Sequence, residues 1–193
     1  MQTEIEATFL DVDKNALREK LKAAGAELVQ PELLMKRTIF NLTERSFVRV
    51  RDEGNKITLS YKCLESLTLS GMKEICVEVD DYEKTVELMK TCGLEAKAVQ
   101  ETYREEWELG GAEITIDTWP WMPTYCEIEG ASEELVATVA SKLGFEMKDA
   151  HYGSSSEMYQ AYYDIDVREI NTWPEIKFTE VPEWLEKKRR TKH

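Results

Sequence analysis

The chain has 193 residues, 42% of them hydrophobic, and a formal net charge of −13 at pH 7, which suits one folded domain with or without an appendage and argues against non-specific binding to nucleic-acid backbones. Its four cysteines form no Cys-x-x-Cys pair and stand beside only two histidines, so neither a disulfide framework nor a zinc site is indicated. No signal-peptide pattern and no apolar run near the ~20 residues of a bilayer span is present; a soluble, cytoplasmic protein is expected.

Residues 4–9, Glu-Ile-Glu-Ala-Thr-Phe, alternate polar and apolar side chains. As a strand they put Glu4, Glu6 and Thr8 on one face and Ile5, Ala7 and Phe9 on the other. Asp11 or Asp13 then caps a helix carrying Ala16, Leu17, Leu21 and Ala24 at helical spacing, and Gly25 ends it. Residues 27–41 read as one strand, or two broken around Pro31. They carry Lys36 and Arg37 on opposite faces, so only one of the pair can join a given face. Residues 46–51 and 56–63 flank the polar turn Asp52-Glu53-Gly54-Asn55, a hairpin signal, and place Arg49 and Arg51 beside Lys62.

A loop over 64–71 leads to an acid-faced strand, Met72 to Val79, bearing Glu74, Cys76 and Glu78 on one side. Asp80 or Asp81 caps the next helix, which runs through Cys92 with Gly93 as its stop. Residues 98–109 and 112–118 form a second hairpin across Gly110-Gly111, followed by a strand at 125–129. Ser132 caps a third helix with Glu133 and Glu134 favourably in its first turn. The order resembles two related halves of about 70 residues. Beyond His151, Ser154 to Ser156 make a turn or cap, and 157–165 a short helix. Trp173 and Trp184 then anchor a tail ending in the basic run Lys187 to Arg190 with Lys192, read as a solvated end.

Alternation of this kind also marks a solvated sheet face carrying scattered charges. Its repetition in Glu74 to Val79, Glu113 to Asp117 and Cys126 to Glu129 argues for one shared surface. If the aliphatic faces pack against helices, the polar faces line the inside of a closed sheet. An interior holding both arginines and glutamates suits an anionic ligand bridged to the carboxylates by a divalent metal, because no charge is then buried alone.

Five motifs, in order, carry a resemblance. Glu4-x-Glu6, Val48-Arg49-Val50-Arg51, Leu59-Ser60-Tyr61-Lys62, Asp117-x-Trp119-Pro120 and Glu127-Ile128-Glu129-Gly130 together resemble the CYTH superfamily, the triphosphate tunnel metalloenzymes. These include class IV adenylate cyclases, thiamine triphosphatases and inorganic triphosphatases, and the Asp117 and Glu127 motifs are most like the cyclase branch. The resemblance spans about residues 2–165. It implies an α+β fold: a closed, antiparallel, eight-stranded barrel with helices outside, over residues 1–165, and a tail over 166–193 packed on it or trailing from it.

What it implies for the site is a metal-dependent enzyme acting on ATP, thiamine triphosphate or tripolyphosphate, with neither nucleic acid nor membrane as partner and with a homodimer suggested by analogy. Glu4, Glu6, Asp117, Glu127 and Glu129 would hold Mg²⁺ or Mn²⁺, both of which favour hard oxygen ligands, with Glu78 as an alternative to Asp117. Arg49, Arg51, Lys62 and Arg104 would hold phosphate oxygens, joined by Lys36 or Arg37. Thr8 and Thr102 stand where the family pattern has lysines. That departure motivates a second reading, a non-catalytic module that binds a phosphorylated ligand.

Overall fold

A single strand at the start of the chain closes the barrel. In the computed structural model, which describes residues 1–191, this strand is split at Ile5. Its first part, β1 (Gln2–Glu4), pairs with β6 (Met72–Val79), and its second, β2 (Glu6–Phe9), pairs with β9 (Tyr125–Glu129). Between those seams run β5 (Ile57–Leu64), β4 (Ser46–Asp52), β3 (Glu27–Asn41), β7 (Ala96–Leu109) and β8 (Ala112–Thr118), in the order β1-β6-β5-β4-β3-β7-β8-β9-β2. The sequence leads one to expect eight strands. The split at Ile5 makes nine around the ring, and a tenth, β10 (Glu175–Ile176), pairs with β7 in parallel off this path.

Pro31 does not break β3; the strand runs through it with register shifts between Leu28 and Gln30 and between Gln30 and Leu33, as expected where an imide removes a ladder donor. Two helices, α1 (Lys14–Ala24) and α3 (Glu133–Leu143), cover the apolar outer faces of β2, β8 and β9. Ala7, Phe9, Ile114, Ile116, Cys126 and Ile128 meet Leu17, Leu21, Val136, Val139 and Leu143 there, all buried. Asp13 caps α1 through the Ala16 amide, and Ser132 caps α3 through that of Leu135. Both helices end on a left-handed glycine, Gly25 at φ 82° and Gly144 at φ 81°, a conformation that glycine adopts without strain.

Asp81 caps α2 (Tyr82–Thr91), which lies over Phe40 and Val50. The C-terminal segment comprises α4 (Ser155–Tyr162), α5 (Val167–Ile170), β10 and α6 (Glu183–Glu186). It builds a third core in which Tyr159, Tyr163, Ile170, Trp173, Ile176 and Leu185 enclose Trp119, Met122 and Tyr125. Its basic run is internally paired: Lys187 with Glu183, Lys188 with Glu169, Arg189 with Glu186 and Arg190 with Asp164. Lys192 lies outside the described residues. No helix among these residues is long and apolar enough to cross a membrane.

Candidate functional site: a charged tunnel

Strand parity gathers the site. With Ile114, Ile116, Ile128 and Ala7 facing the helices, their alternating neighbours turn inward and line a cavity of about 290 Å³. Glu4, Glu6, Arg49, Arg51, Lys62, Arg104, Glu127 and Glu129 all line it. So does Arg37, whereas Lys36 faces outward, pairs with Glu83 of α2 at 3.1 Å and lies over the Tyr82 ring. Asp117 is fully buried behind Arg104. Glu78 is exposed near the far end of β6, beside a separate depression with Asp80 and Lys84. Two further carboxylates border the tunnel, Glu74 and Glu113. Glu74 sits in register with Lys62 and could have been found by aligning the two strands rather than reading β6 alone.

The cations are unevenly satisfied. Lys62 donates to both oxygens of Glu4 at 2.7 and 2.8 Å, and Glu74 lies 3.6 Å from it and 3.4 Å from Arg49. Arg51 donates to Glu53, the turn residue of its own hairpin, at 2.9 and 2.7 Å. Arg104 forks onto Asp117 at 2.8 and 2.7 Å and reaches Glu127 at 2.8 Å. By contrast, the buried Nε–H groups of Arg37 and Arg49 have no acceptor among the described residues, and neither does the indole N–H of Trp119, which lines the same space.

Arg37 also donates to Thr102 Oγ1 and stacks 4.7 Å from the centroid of the Trp119 ring. A guanidinium thus stands at the threonine that replaces a family lysine. Thr8, the other such position, is buried and bridged to His151 across the seam. It does not border the cavity. Burial pushes the Arg37 pKa down, and Arg51, Arg49 and Arg104 add repulsion; burial with repulsion from Arg51 and Arg104, opposed by Glu74, brings Arg49 down to about 10. These groups stay charged at neutral pH, so both their burial and their mutual repulsion are costs that a bound anion would relieve.

The acids show the mirror image. Glu6 lies opposite Glu129 in the β2–β9 pairing, and Glu129 opposite Glu113 in the next, making a lateral row of three carboxylates. Like charges directly across a sheet repel. Burial, together with Glu127, Glu4 and Glu129, raises Glu6 to about 8. Burial, Glu4 and Glu113 raise Glu129 to about 7. Burial likewise raises Glu127, with Asp117 adding to it, although Arg104 opposes the change. Burial works against the Glu74 carboxylate too, but a hydrogen bond shared with Glu4 and the charges of Lys62 and Arg49 outweigh it and hold it at about 2, while burial moves Glu4 up.

Neither Glu6 nor Glu129 makes an ion pair among the described residues, and on their side of the cavity Arg104 is spent on Asp117 and Glu127. No three acidic, histidine or cysteine side chains there converge closely enough to enclose a metal by themselves. The donors still suit Mg²⁺, which keeps several waters and is held by one or two carboxylates together with phosphate oxygens.

A closed barrel whose inner face is sorted into arginine and glutamate sectors is a charged-tunnel fold. The chain belongs to the CYTH domain family, which it matches over residues 2–163. It is similar in fold to the PH1012 protein of Pyrococcus horikoshii OT3 (23% identity, TM-score 0.68, covering 77% of this chain and 94% of that one). It is also similar to a candidate adenylate cyclase from Vibrio parahaemolyticus (12%, 0.70, 82% and 98%). A third neighbour, a candidate adenylyl cyclase from Hippeastrum described as having a dominant triphosphatase activity, matches at 15% identity and TM-score 0.57, with 82% and 95% covered. No curated protein matches the chain.

Proposed function

We propose that the protein is a metal-dependent enzyme that acts on a triphosphate inside this tunnel, as a cyclase or a triphosphatase. One observation carries the reading: buried arginine N–H groups without acceptors share a cavity with carboxylates without cations. A triphosphate with a divalent ion supplies both missing partners.

In this reading Arg37, Arg49 and Lys62 take phosphate oxygens, the arginine forks fixing orientation and the lysine acting as a point charge. Arg51 joins them by exchanging Glu53 for phosphate. Arg104 keeps Nε and one Nη on Asp117 and Glu127, which leaves its other Nη to face the ligand. Glu6 and Glu129, free of ion pairs, are the carboxyls that would take Mg²⁺ or Mn²⁺ on giving up their protons, flanked by Glu4 and Glu127. A bound dication neutralises phosphoryl oxygens and favours displacement at phosphorus. The identity of the nucleophile sets the product. Attack by water at the terminal phosphorus releases phosphate, whereas attack by the 3′-hydroxyl of a nucleotide on its α-phosphorus releases pyrophosphate and leaves a cyclic nucleotide.

Incubation with ATP, thiamine triphosphate and tripolyphosphate, each with Mg²⁺ or Mn²⁺, distinguishes the outcomes when cyclic AMP and phosphate are followed separately. Turnover of at least one is expected. Tight binding with no turnover would favour the non-catalytic module that Thr8 and Thr102 suggest, and absence of both would end the tunnel reading.

A further inference from the structure

One cation of the tunnel is held unlike the rest. Arg49 meets Glu74, Arg51 meets Glu53, Lys62 meets Glu4, and Arg104 forks onto Asp117. Arg37 is buried and makes no ion pair among the described residues. Two contacts hold it: a hydrogen bond to Thr102 Oγ1 and the face of the Trp119 ring. The difference matters chemically. A carboxylate partner occupies guanidinium N–H groups, and a phosphate must then displace it. A ring face attracts the same cation through its quadrupole and takes no N–H, because the donors of a guanidinium point outward in its plane. Stacking therefore fixes Arg37 and leaves its Nε–H without an acceptor among the described residues.

Trp119 is itself held from behind. It follows β8 directly, is buried and borders the tunnel. Tyr159 of α4 meets its ring edge-on, with centroids 6.5 Å apart, and donates its hydroxyl to the Pro120 carbonyl at 2.7 Å. Tyr163 likewise donates to the Trp121 carbonyl. Those bonds grip a strained turn, since Trp121 stands at φ 68°, a left-handed conformation unfavourable for a bulky side chain. Trp173 closes the stack, edge-on to Tyr159 at 5.5 Å and to Trp121 at 5.9 Å. An aromatic chain thus leads from Arg37 in the tunnel to Trp173, which lies beyond residue 163 and outside the matched family domain.

Resting on the tunnel reading above, we infer that Trp119 is a positioning residue for the triphosphate: it holds the Arg37 guanidinium by its face so that the edge meets phosphate oxygens, and the C-terminal segment sets affinity by holding Trp119. Thr102 does not suffice alone, because one hydroxyl fixes a point and not a plane. The gripped turn supplies the plane. A donor held in place before the ligand arrives loses little freedom on binding.

Calorimetric titration of the full chain with tripolyphosphate and Mg²⁺ tests this. Trp119→Leu should weaken binding about tenfold, whereas Trp119→Phe, which keeps a ring over Arg37, should stay within about twofold of wild type. Tyr159→Phe, which removes only the hydroxyl that grips Pro120, should cost about threefold. Because both losses act through one side chain, they should vanish in an Arg37→Gln background, where Arg49, Arg51 and Lys62 keep binding measurable: Trp119→Leu and Tyr159→Phe should each change affinity there by less than about twofold. A melting curve for each variant separates misfolding from weak binding, and if Trp119→Leu does not fold, the Tyr159→Phe pair decides. Wild-type affinity in Trp119→Leu, a phenylalanine variant as weak as the leucine variant, or equal losses in the Arg37→Gln background overturns the positioning role while the tunnel stands. Should wild type hold neither tripolyphosphate nor ATP, the tunnel reading fails and takes the positioning role with it.

Discussion

Two walls of one cavity face each other with opposite deficits. On β3, β4 and β5, Arg37, Arg49, Arg51 and Lys62 crowd together and draw partial relief from Glu4, Glu53 and Glu74. On β2, β8 and β9, Glu6, Glu113, Glu127 and Glu129 crowd together, and Arg104 is the cation that hydrogen-bonds within this sector. The fold could have mixed the signs along each strand and neutralised them in pairs. Sorting them instead stores electrostatic stress on both sides of an open space, and a ligand carrying both signs can release it. Stability and binding are therefore set against each other in the same residues.

The sharpest break in this comparison is Arg104→Ala. It leaves Asp117, fully buried, and Glu127 without their cation, a loss of about 3–5 kcal/mol and a melting temperature lower by roughly 10 °C for a chain of this size. Chemical denaturation measures it; a loss below about 1 kcal/mol would show that water already screens the pair.

Next comes the acid wall itself. A carboxyl whose folded pKa lies above its unfolded value contributes stability that is complete below about pH 4. That contribution is lost as pH rises through the folded pKa, here about 7 for Glu129 and about 8 for Glu6. Without metal, the protein should lose stability between pH 5 and 8, on the order of 2–3 kcal/mol after allowing for water that still reaches these partly buried groups and for coupling between them. The double variant Glu6→Gln, Glu129→Gln should flatten this profile, and millimolar Mg²⁺ or Mn²⁺ should raise the wild-type melting temperature at pH 8. A profile that instead rises with pH would contradict the assignment.

The smallest effect separates neighbours on one strand. Arg37→Ala should cost triphosphate binding about 1.5–3 kcal/mol, as for a hydrogen bond to a charged group. Lys36→Ala, which removes an exposed pair with Glu83, should cost under about 0.5 kcal/mol in either binding or stability. Equal losses in the two variants, read by titration calorimetry, would mean that the inside and outside of β3 have been confused.

The sequence resolves these two walls unequally. Period-two alternation was enough to align Arg49, Arg51 and Lys62, because Val48, Val50, Leu59 and Tyr61 alternate with them and declare the other face. It could not choose between Lys36 and Arg37, since Met35, Thr38 and Phe40 leave both faces mixed; the choice is made by α2, whose Tyr82 hydroxyl bonds Thr38 at 2.6 Å and marks that side as outer. Nor could it show that Glu53, in a turn, would reach back to Arg51, or that Glu74 rather than Glu78 would meet the cations. Those contacts depend on where strands end and on cross-strand register, which one strand's pattern does not contain. The strands and their hairpins were legible from alternation and turn signals, but their closure into a barrel came with the resemblance to the CYTH superfamily, and the division of the first strand at Ile5 was not foreseen.

That division has a consequence for the order of assembly. Residues 2–4 must find 72–74, and residues 6–9 must find 126–129, so the opening segment of the chain completes its ring only after the segment near residue 129 is in place. Hairpins β4–β5 and β7–β8 close over short loops and cost little chain entropy, whereas the two seams at Ile5 span most of the domain. Ring closure should thus be the late, slow event in refolding, with the N-terminus the last piece threaded into the wall.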